Sequence, residues 1–316
     1  MDFEHVPVLF DEAIEALNIK PNGIYVDCTA GGGGHSAAIA AKLTGGQLIA
    51  IDRDPEAVET LLERLSKFKQ VTVTNNNFAN LQPILAENGL AKADGILADL
   101  GVSSHQLDKA ERGFSFHNDA PLDMRMSMQG TSAADLVNNL PQGALQKIFY
   151  EYGEEKYAPS ISRAIVRARA IKPIETTFEL VDIIKSSIPA AARRQGGHPA
   201  RRSFQALRIE VNNELGLLNA ALDTMFESLT VGGRIAVITF HSLEDRIVKR
   251  NFAALCGGCT CPPQFPLCVC GKTPKGFLPF KAQKPSLEQI ENNPRCRSAR
   301  LRVIEKSGEE FSHGKL

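Results

Sequence analysis

Residues Val26–Ser36 read VDCTAGGGGHS, an apolar run that ends in an acid and opens into four consecutive glycines. Glycines let backbone amides approach a ligand closely and admit positive φ. A second acid, Asp52, closes the next apolar run, 19 residues after Gly33. A carboxylate at that spacing can chelate the two hydroxyls of a ribose. A third, Asp99, opens the turn Asp99–Val102 (DLGV) after a further apolar run. Phe78 follows the β-rich stretch Val71–Thr74, where a flat apolar face would suit adenine. Together these groups have the chemistry of a nucleotide-type cofactor site.

Such groups need a scaffold. Ile24–Cys28, Gln47–Asp52, Val71–Thr74, Asp94–Asp99 and Arg234–Phe240 predict short buried strands. Between them, His35–Leu43, a segment from Asp54, Leu81–Glu87 and Leu243–Leu255 predict helices. Asp54 suits an N-cap with Pro55 at the first helical position, and Ala57, Leu61 and Leu65 follow at helical spacing. A helix starting near His35 turns its dipole toward the glycine loop. Apolar strands alternating with helices predict a parallel sheet covered on both faces. The pattern breaks after Gly101. Ser103–Met128 has no clear period, and from Ala133 to about Glu210 the signals are helical with no central strand. Asn213–Leu229 then carries an amphipathic stripe, Gly232–Gly233 is expected to turn the chain, and Arg300–Ile304 alternates like an edge or late strand. The expected fold is α/β and Rossmann-like, with an inserted α-helical domain. Residues 1–104 plus 211–316 form the discontinuous α/β domain, and residues 105–210 form the insertion. Two sequential domains are the alternative, disfavoured because one strand pair after residue 230 could not bury itself alone.

Two cofactors compete for the glycine loop. A dinucleotide loop wants a third spaced glycine, where this chain has Ser36. S-adenosylmethionine (SAM) wants acids at the ends of strands one and two and an acidic turn after strand four. Asp27, Asp52 and Asp99 supply them, so a class I SAM-dependent methyltransferase fits better than an NAD-dependent oxidoreductase.

The chain has 316 residues, 43% of them hydrophobic, enough for more than one core. Its 36 basic and 36 acidic residues cancel, so only local charge can point to nucleic acid. Five carboxylates in the first twenty residues argue against a secretory signal, and no apolar run is long enough for a membrane span. The expected location is cytoplasmic, without membrane attachment. A homodimer is left open.

Local charge does appear. Residues 160–210 hold eight Arg and two Lys against four acids. Arg193-Arg194 and Arg201-Arg202 flank Gly196-Gly197-His198-Pro199, which suits phosphate contact or an ordinary solvated surface. Phe114, Phe116, Met124 and Met126 could stack on a splayed base or pack the insertion. Five cysteines, Cys256, Cys259, Cys261, Cys268 and Cys270, provide enough thiolates for a zinc site, although the C-x-C spacings differ from paired knuckles. Free thiols are the alternative.

Longer stretches carry a family resemblance. They are His5–Leu9 (HVPVL), Gly32–Ser36 (GGGHS), Ala50–Pro55 (AIDRDP), Asp99–Ser104 (DLGVSS), Glu111–Phe116 (ERGFSF) and Pro121–Met126 (PLDMRM). Tyr152–Glu155 (YGEE), Ser203–Arg208 (SFQALR), Thr239–Arg246 (TFHSLEDR) and Asn293–Arg295 (NPR) continue the series over nearly the whole chain. With these the chain closely resembles the RsmH (MraW) family of 16S ribosomal RNA methyltransferases. The resemblance implies methylation of the exocyclic N4 of one cytidine in the decoding centre, the P-site region, of 16S rRNA within the small ribosomal subunit. It also implies cofactor contacts at Gly33, Gly34, His35, Asp52, Phe78, Asp99 and Gln106. Gly32 stands where some members carry another residue, with no expected consequence for binding.

The implied reaction needs the methyl carbon and the attacking nitrogen held at near-attack distance. The N4 lone pair is delocalised into the ring, and an acceptor for an N4 hydrogen would localise it. Asp99 is the candidate; its alternative role is to hold the cofactor only. The carbonyls and hydroxyls of Ser103 and Ser104 are other acceptors. His241 and Ser242 end strand five, next to strand four, and are weaker catalytic candidates; a structural histidine is the alternative. Local chemistry alone leaves a DNA amino-methyltransferase open, and a non-catalytic RNA-binding assembly factor is a third class.

Overall fold

The computed structural model describes residues 7–194, 197–257, 270 and 273–308. The chain divides into two compact units, Met1–Gly101 with Leu217–Leu316, and Val102–Gly216.

In the first unit α1 (Phe10–Ala16), β1 (Ile24–Asp27), α2 (Gly34–Lys42), β2 (Gln47–Asp52), α3 (Pro55–Arg64), β3 (Val71–Asn75), α4 (Leu81–Glu87) and β4 (Ala93–Asp99) follow in turn. The second unit holds α5 (Ser104–Asp108), α6 (Ala133–Asn139), α7 (Gln142–Glu151), α8 (Ala158–Arg169), α9 (Thr177–Ser187), α10 (Ala190–Arg193) and α11 (Arg201–Asn212). Helix α12 (Glu214–Glu227) then leads into β5 (Leu229–Thr239), α13 (Ser242–Leu255), β6 (Gly276–Phe277), α14 (Leu287–Asn292) and β7 (Arg300–Lys306).

The seven strands form one sheet in the order β3-β2-β1-β4-β5-β7-β6. β1 to β5 pair in parallel, and β7 runs antiparallel between β5 and β6. Alternation along each strand assigns the faces. Val26, Ile49, Ile96, Ile235 and Val237 pack with Leu85 of α4, Leu222 of α12 and Val248 of α13. Tyr25, Leu48, Leu97, Ala236 and Ile238 pack on the other face with Ile14 of α1 and Ile39 of α2. Each large aliphatic side chain so buried stabilises the unit by about 1.5–3 kcal/mol relative to exposure. A parallel sheet needs both coats, which is why its strands read as continuous apolar runs.

One expectation needs correction. Gly232–Gly233 does not turn the chain. β5 is one strand that leaves its ladder between Leu229, paired with Ala93, and Arg234, paired with Gly95. Gly232 takes φ +77° in that bulge, a conformation glycine adopts without a Cβ clash. Arg300–Ile304 lies in β7, the last strand, which pairs antiparallel with β5, while β6 pairs with its Glu305 and Lys306.

The second unit has its own core. Val137 of α6, Phe149 of α7, Ile161 and Ile165 of α8, Leu180 and Ile184 of α9, and Leu207 of α11 are all fully or almost fully buried. Phe114, Met124 and Met126 join this cluster, so they pack the unit instead of offering exposed stacking faces. Asn212 anchors their loop, accepting the Met126 N–H at 2.8 Å and donating to the Met124 carbonyl at 2.7 Å. Among the described residues, no helix is long and apolar enough to cross a membrane.

Candidate active site

The carboxyl ends of β1, β2 and β4 converge, as adjacent parallel strands must, and ligands of open α/β sheets lie beyond such ends. The chain leaves β1 through Asp27, and the loop from Cys28 to Gly33 stays pinned to its neighbours. The Cys28 N–H donates to the Leu97 carbonyl at 2.8 Å, and the Ala30 N–H to the Ile51 carbonyl at 2.9 Å. Arg64 of α3 donates to the Gly32 carbonyl at 2.8 Å. Gly33, at φ +78°, is the N-cap of α2 and caps nothing with a side chain. A Cβ on Gly33 would lie 3.0 Å from Leu61 Cδ2, whereas a Cβ on Gly32 would meet nothing within 4 Å. Gly34 begins α2, and the helix presents unsatisfied N–H groups and its positive dipole end to the loop.

Three acids meet there. Asp27 is 1% exposed, accepts the Ser36 hydroxyl at 2.6 Å and takes the Thr29 N–H at 3.3 Å. Burial pushes its carboxyl up to about 6, against those two hydrogen bonds and with a further push from Asp52. Asp52 accepts the Gly31 N–H at 2.8 Å and the Asp54 N–H at 2.9 Å, one on each oxygen. Burial raises it too, and the two N–H groups oppose that. Each carboxylate oxygen keeps a further lone pair for a hydroxyl. Asp99 is raised well above the ordinary carboxylate range by burial first, then by the charges of Asp27 and Glu244. Its Oδ1 is buried without a hydrogen-bond partner.

His35 sits in the first turn of α2, stacked on Phe10 with centroids 5.4 Å apart. Burial lowers its imidazole to about 4, so it is neutral near pH 7. Nδ1 lies 3.9 Å from Asp99 Oδ2, and Nε2 is buried without a partner. Buried polar groups are normally satisfied. Two orphaned atoms and three clustered acids therefore suit a ligand that is cationic and rich in donors. Phe78 begins a 3-10 turn just after β3 and packs half-buried against the sheet core. The Asn76 N–H, bonded to the Asp52 carbonyl at 3.0 Å, ties that turn to the end of β2.

Gly33, Gly34, His35, Asp52, Phe78 and Asp99 thus all lie in the first unit, around the ends of β1 to β4. Gln106 belongs to the second. It completes a capping box on α5, accepting the Ser103 N–H at 3.0 Å while Ser103 Oγ accepts its own N–H at 3.2 Å. Ser104 is the first residue of α5. His241 is the N-cap of α13: Nδ1 accepts the Glu244 N–H at 3.4 Å, and Glu244 Oε2 accepts the Phe240 N–H at 2.9 Å. His241 Nε2 lies 3.2 Å from Glu244 Oε1. This arrangement gives Nδ1 a capping task, while Nε2 is buried without a hydrogen-bond partner. Ser242 is the first residue of that helix. Arg193, Arg194, Arg201 and Arg202 are exposed, and Arg202 donates to the Glu154 carbonyl at 3.0 Å. Of the cysteine cluster, Cys256 and Cys270 are half-buried, while Cys259, Cys261 and Cys268 lie outside the described residues.

Sequence reasoning missed Thr29 and Ser36. Thr29 Oγ1 accepts the Asp99 N–H at 2.6 Å, joining the exits of β1 and β4. A threonine two residues after an acid gives no such signal; only the sheet order brings residues 29 and 99 together.

Comparison with known proteins follows the same lines. The model of the MraW methylase family matches residues 2–307. Ribosomal RNA small subunit methyltransferase H of Heliobacterium modesticaldum is 52% identical over 313 residues, covering 97% of this chain and 99% of its own. The protein of the same name from Brevibacillus brevis is 53% identical over 310 residues, with 97% and 99% covered. Among solved structures, an rRNA methylase from Streptococcus thermophilus aligns over 95% of this chain and 94% of its own at 13% identity, with a TM-score of 0.42. That likeness is too loose to carry an argument.

Proposed function

The chain belongs to the MraW methylase family, and from that premise we propose that it methylates the exocyclic N4 of a single cytidine in the decoding centre of 16S rRNA, within the small ribosomal subunit. It is a SAM-dependent methyltransferase with the Rossmann-like sheet of class I enzymes. The observation that carries the proposal is the acid cluster Asp27, Asp52 and Asp99 around the Gly31–Gly34 loop. Burial raises the pKa of all three carboxyls, and a bound cation would favour their charged forms.

SAM supplies a methyl group on a positively charged sulfur when bound. Asp52 would hold the ribose hydroxyls, Phe78 would cover the adenine, and Gly33, Gly34 and His35 would face the remaining polar groups. Asp99 accepts a hydrogen from the N4 amine, which returns the lone pair to the nitrogen for attack. The N4 amine would release one proton on methylation, and Asp99, whose carboxyl burial raises, would be suited to take it up. Positioning provides the rest of the acceleration.

The second unit, Val102–Gly216, is the RNA-recognition part in this proposal, with Arg193, Arg194, Arg201 and Arg202 as phosphate contacts. The substrate puts the work in the cytoplasm. The test is methyl transfer from labelled SAM to small ribosomal subunits, followed by mapping of the modified nucleotide. Label on N4 of one decoding-centre cytidine is the expected result. Cofactor binding without transfer to subunits or naked rRNA would overturn it, and label on DNA amines instead would reassign the substrate.

A further inference from the structure

Four rings touch in the second unit. Phe116 lies face to face with His198, centroids 4.5 Å and planes 7° apart. His117 leans on Phe116 at 4.5 Å and stands 5.8 Å from His198. Phe204 of α11, 3% exposed, meets the edge of Phe116 at 5.7 Å. The stack therefore rises from the core of the unit to its surface, where His198 is half-buried and His117 exposed. Its footing is fixed on α9. The Thr177 hydroxyl donates to the Asn118 carbonyl at 2.6 Å, and the Phe178 N–H to Asp119 Oδ1 at 3.2 Å. His198 Nδ1 accepts the Ala200 N–H at 3.3 Å, which leaves the ring proton on Nε2.

Cations surround these rings. Arg201 donates its backbone N–H to the His198 carbonyl at 3.0 Å, and its guanidinium would lie 3.7 Å from a Cβ placed on Gly197. Lys185 of α9 acts on His198 directly: burial first, then Lys185, then His117 hold that imidazole below its ordinary value. Helix α11 adds to this. Its N-cap is Ala200, which has no capping oxygen, and its first turn carries Arg201 and Arg202 and no acid. Cations at a helix N-terminus oppose the dipole. An anion at this surface would relieve both the dipole and the crowded cations.

We propose that Phe116, His117 and His198, with Lys185 and Arg201, form a contact for single-stranded RNA. A splayed base stacks on His117, and His198 with Arg201 holds the neighbouring phosphate. This rests on the RNA reading given above for the same unit. Flat rings at the end of an anchored stack favour an RNA strand over an acidic peptide, which brings charge without planar faces. A phosphate beside His198 raises its pKa, so binding takes up a proton. Affinity then strengthens as pH falls through the bound-state pKa and levels off below the free-state one. The groups facing His198 are Lys185 from α9 and His117 from the preceding loop; Arg201 of α11 meets its backbone carbonyl. Asp119, the nearest acid in sequence to His117, already accepts the Phe178 N–H.

The experiment is fluorescence anisotropy of a labelled, unstructured RNA oligonucleotide with the full chain, without cofactor, between about pH 6 and about pH 8. Wild type should bind several-fold tighter at the acid end. His198→Gln should flatten that dependence, and His117→Ala should weaken binding by roughly five- to a hundredfold, the range of one stacked base. Lys185→Gln, which leaves the stack intact, should move the midpoint of the dependence to higher pH. Wild-type affinity and pH profile in the folded His117→Ala and His198→Gln proteins would overturn the proposal, as would an unmoved midpoint in Lys185→Gln. Tighter binding of a polyglutamate peptide than of RNA would overturn it in favour of a protein partner. Methyl transfer is scored separately. Protein that binds RNA in this way yet methylates no subunit sinks the proposed activity alone; protein that methylates subunits without any histidine-dependent pH term sinks this contact alone.

Discussion

Asp99 is held by its own backbone, through Thr29, and its Oδ1 has no partner. Such a carboxyl is available for a reacting proton. Asp99→Asn is expected to lower kcat by roughly 10²–10⁴-fold, the usual worth of general acid–base catalysis, with the Kd for SAM within about threefold. A weakened Kd with kcat intact would assign Asp99 to the cofactor alone. Asp27 carries a different prediction. Burial pushes its carboxyl up to about 6 in the folded chain, above the ordinary carboxylate value, so the folded state holds the extra proton between those values. Stability therefore falls as pH rises through that window and stays lower above it, by about 3 kcal/mol. Asp27→Asn keeps an acceptor for Ser36 and removes the buried charge. It should melt higher than wild type at about pH 7, change less with acidification, and bind SAM at least roughly tenfold more weakly. A lower melting temperature at that pH would refute the account. Asp52 and Asp99 were legible in the sequence because each ends an apolar run. Their elevated protonation was not, because it depends on how closely three strand ends approach.

The glycine loop and the α13 cap make claims about elements. Gly33→Ala forces a side chain into φ +78° and against Leu61. It should cost about 1–2 kcal/mol, whereas Gly32→Ala should leave the melting temperature nearly unchanged. Equal losses would mean that the loop differs from the one described. His241 fills both sides of a capping box with Glu244. His241→Ala should cost about 1 kcal/mol, His241→Ser should recover most of it, and both should transfer methyl groups within about threefold of wild type. A large kcat loss shared by both would put the imidazole in the chemistry. Strands β1 to β4 and helices α2 to α4 were readable from apolar runs, the Asp54 cap and helical spacing. The bulge in β5 was not: two adjacent glycines signal a turn and a bulge alike, and only pairing of Leu229 and Arg234 with β4 decides between them.

On the scale of the whole molecule, charge is the informative quantity. The chain is neutral overall, yet residues 160–210 carry eight Arg and two Lys against four acids. If the second unit neutralises RNA phosphates, Arg193→Ala, Arg194→Ala and Arg201→Ala should each reduce the slope of log affinity against log salt by about 0.7. An unchanged slope in all three would remove the unit from RNA binding.

What the sequence determined by itself was local or periodic: the strands and helices of the first unit, the glycine loop between β1 and α2, and the break after Gly101. Burial on two sheet faces and helical spacing write themselves into residue order, so these can be read without coordinates. The family followed from long motifs for the same reason. Only the tertiary structure decided that β7 lies inside the sheet, that Phe114, Met124 and Met126 are core, and that His241 is a cap. It also decided that Thr29 holds Asp99 and that Phe116, His117 and His198 share one stack. Each of these joins residues far apart in the chain or depends on the direction a side chain takes, and neither property leaves a period in the sequence.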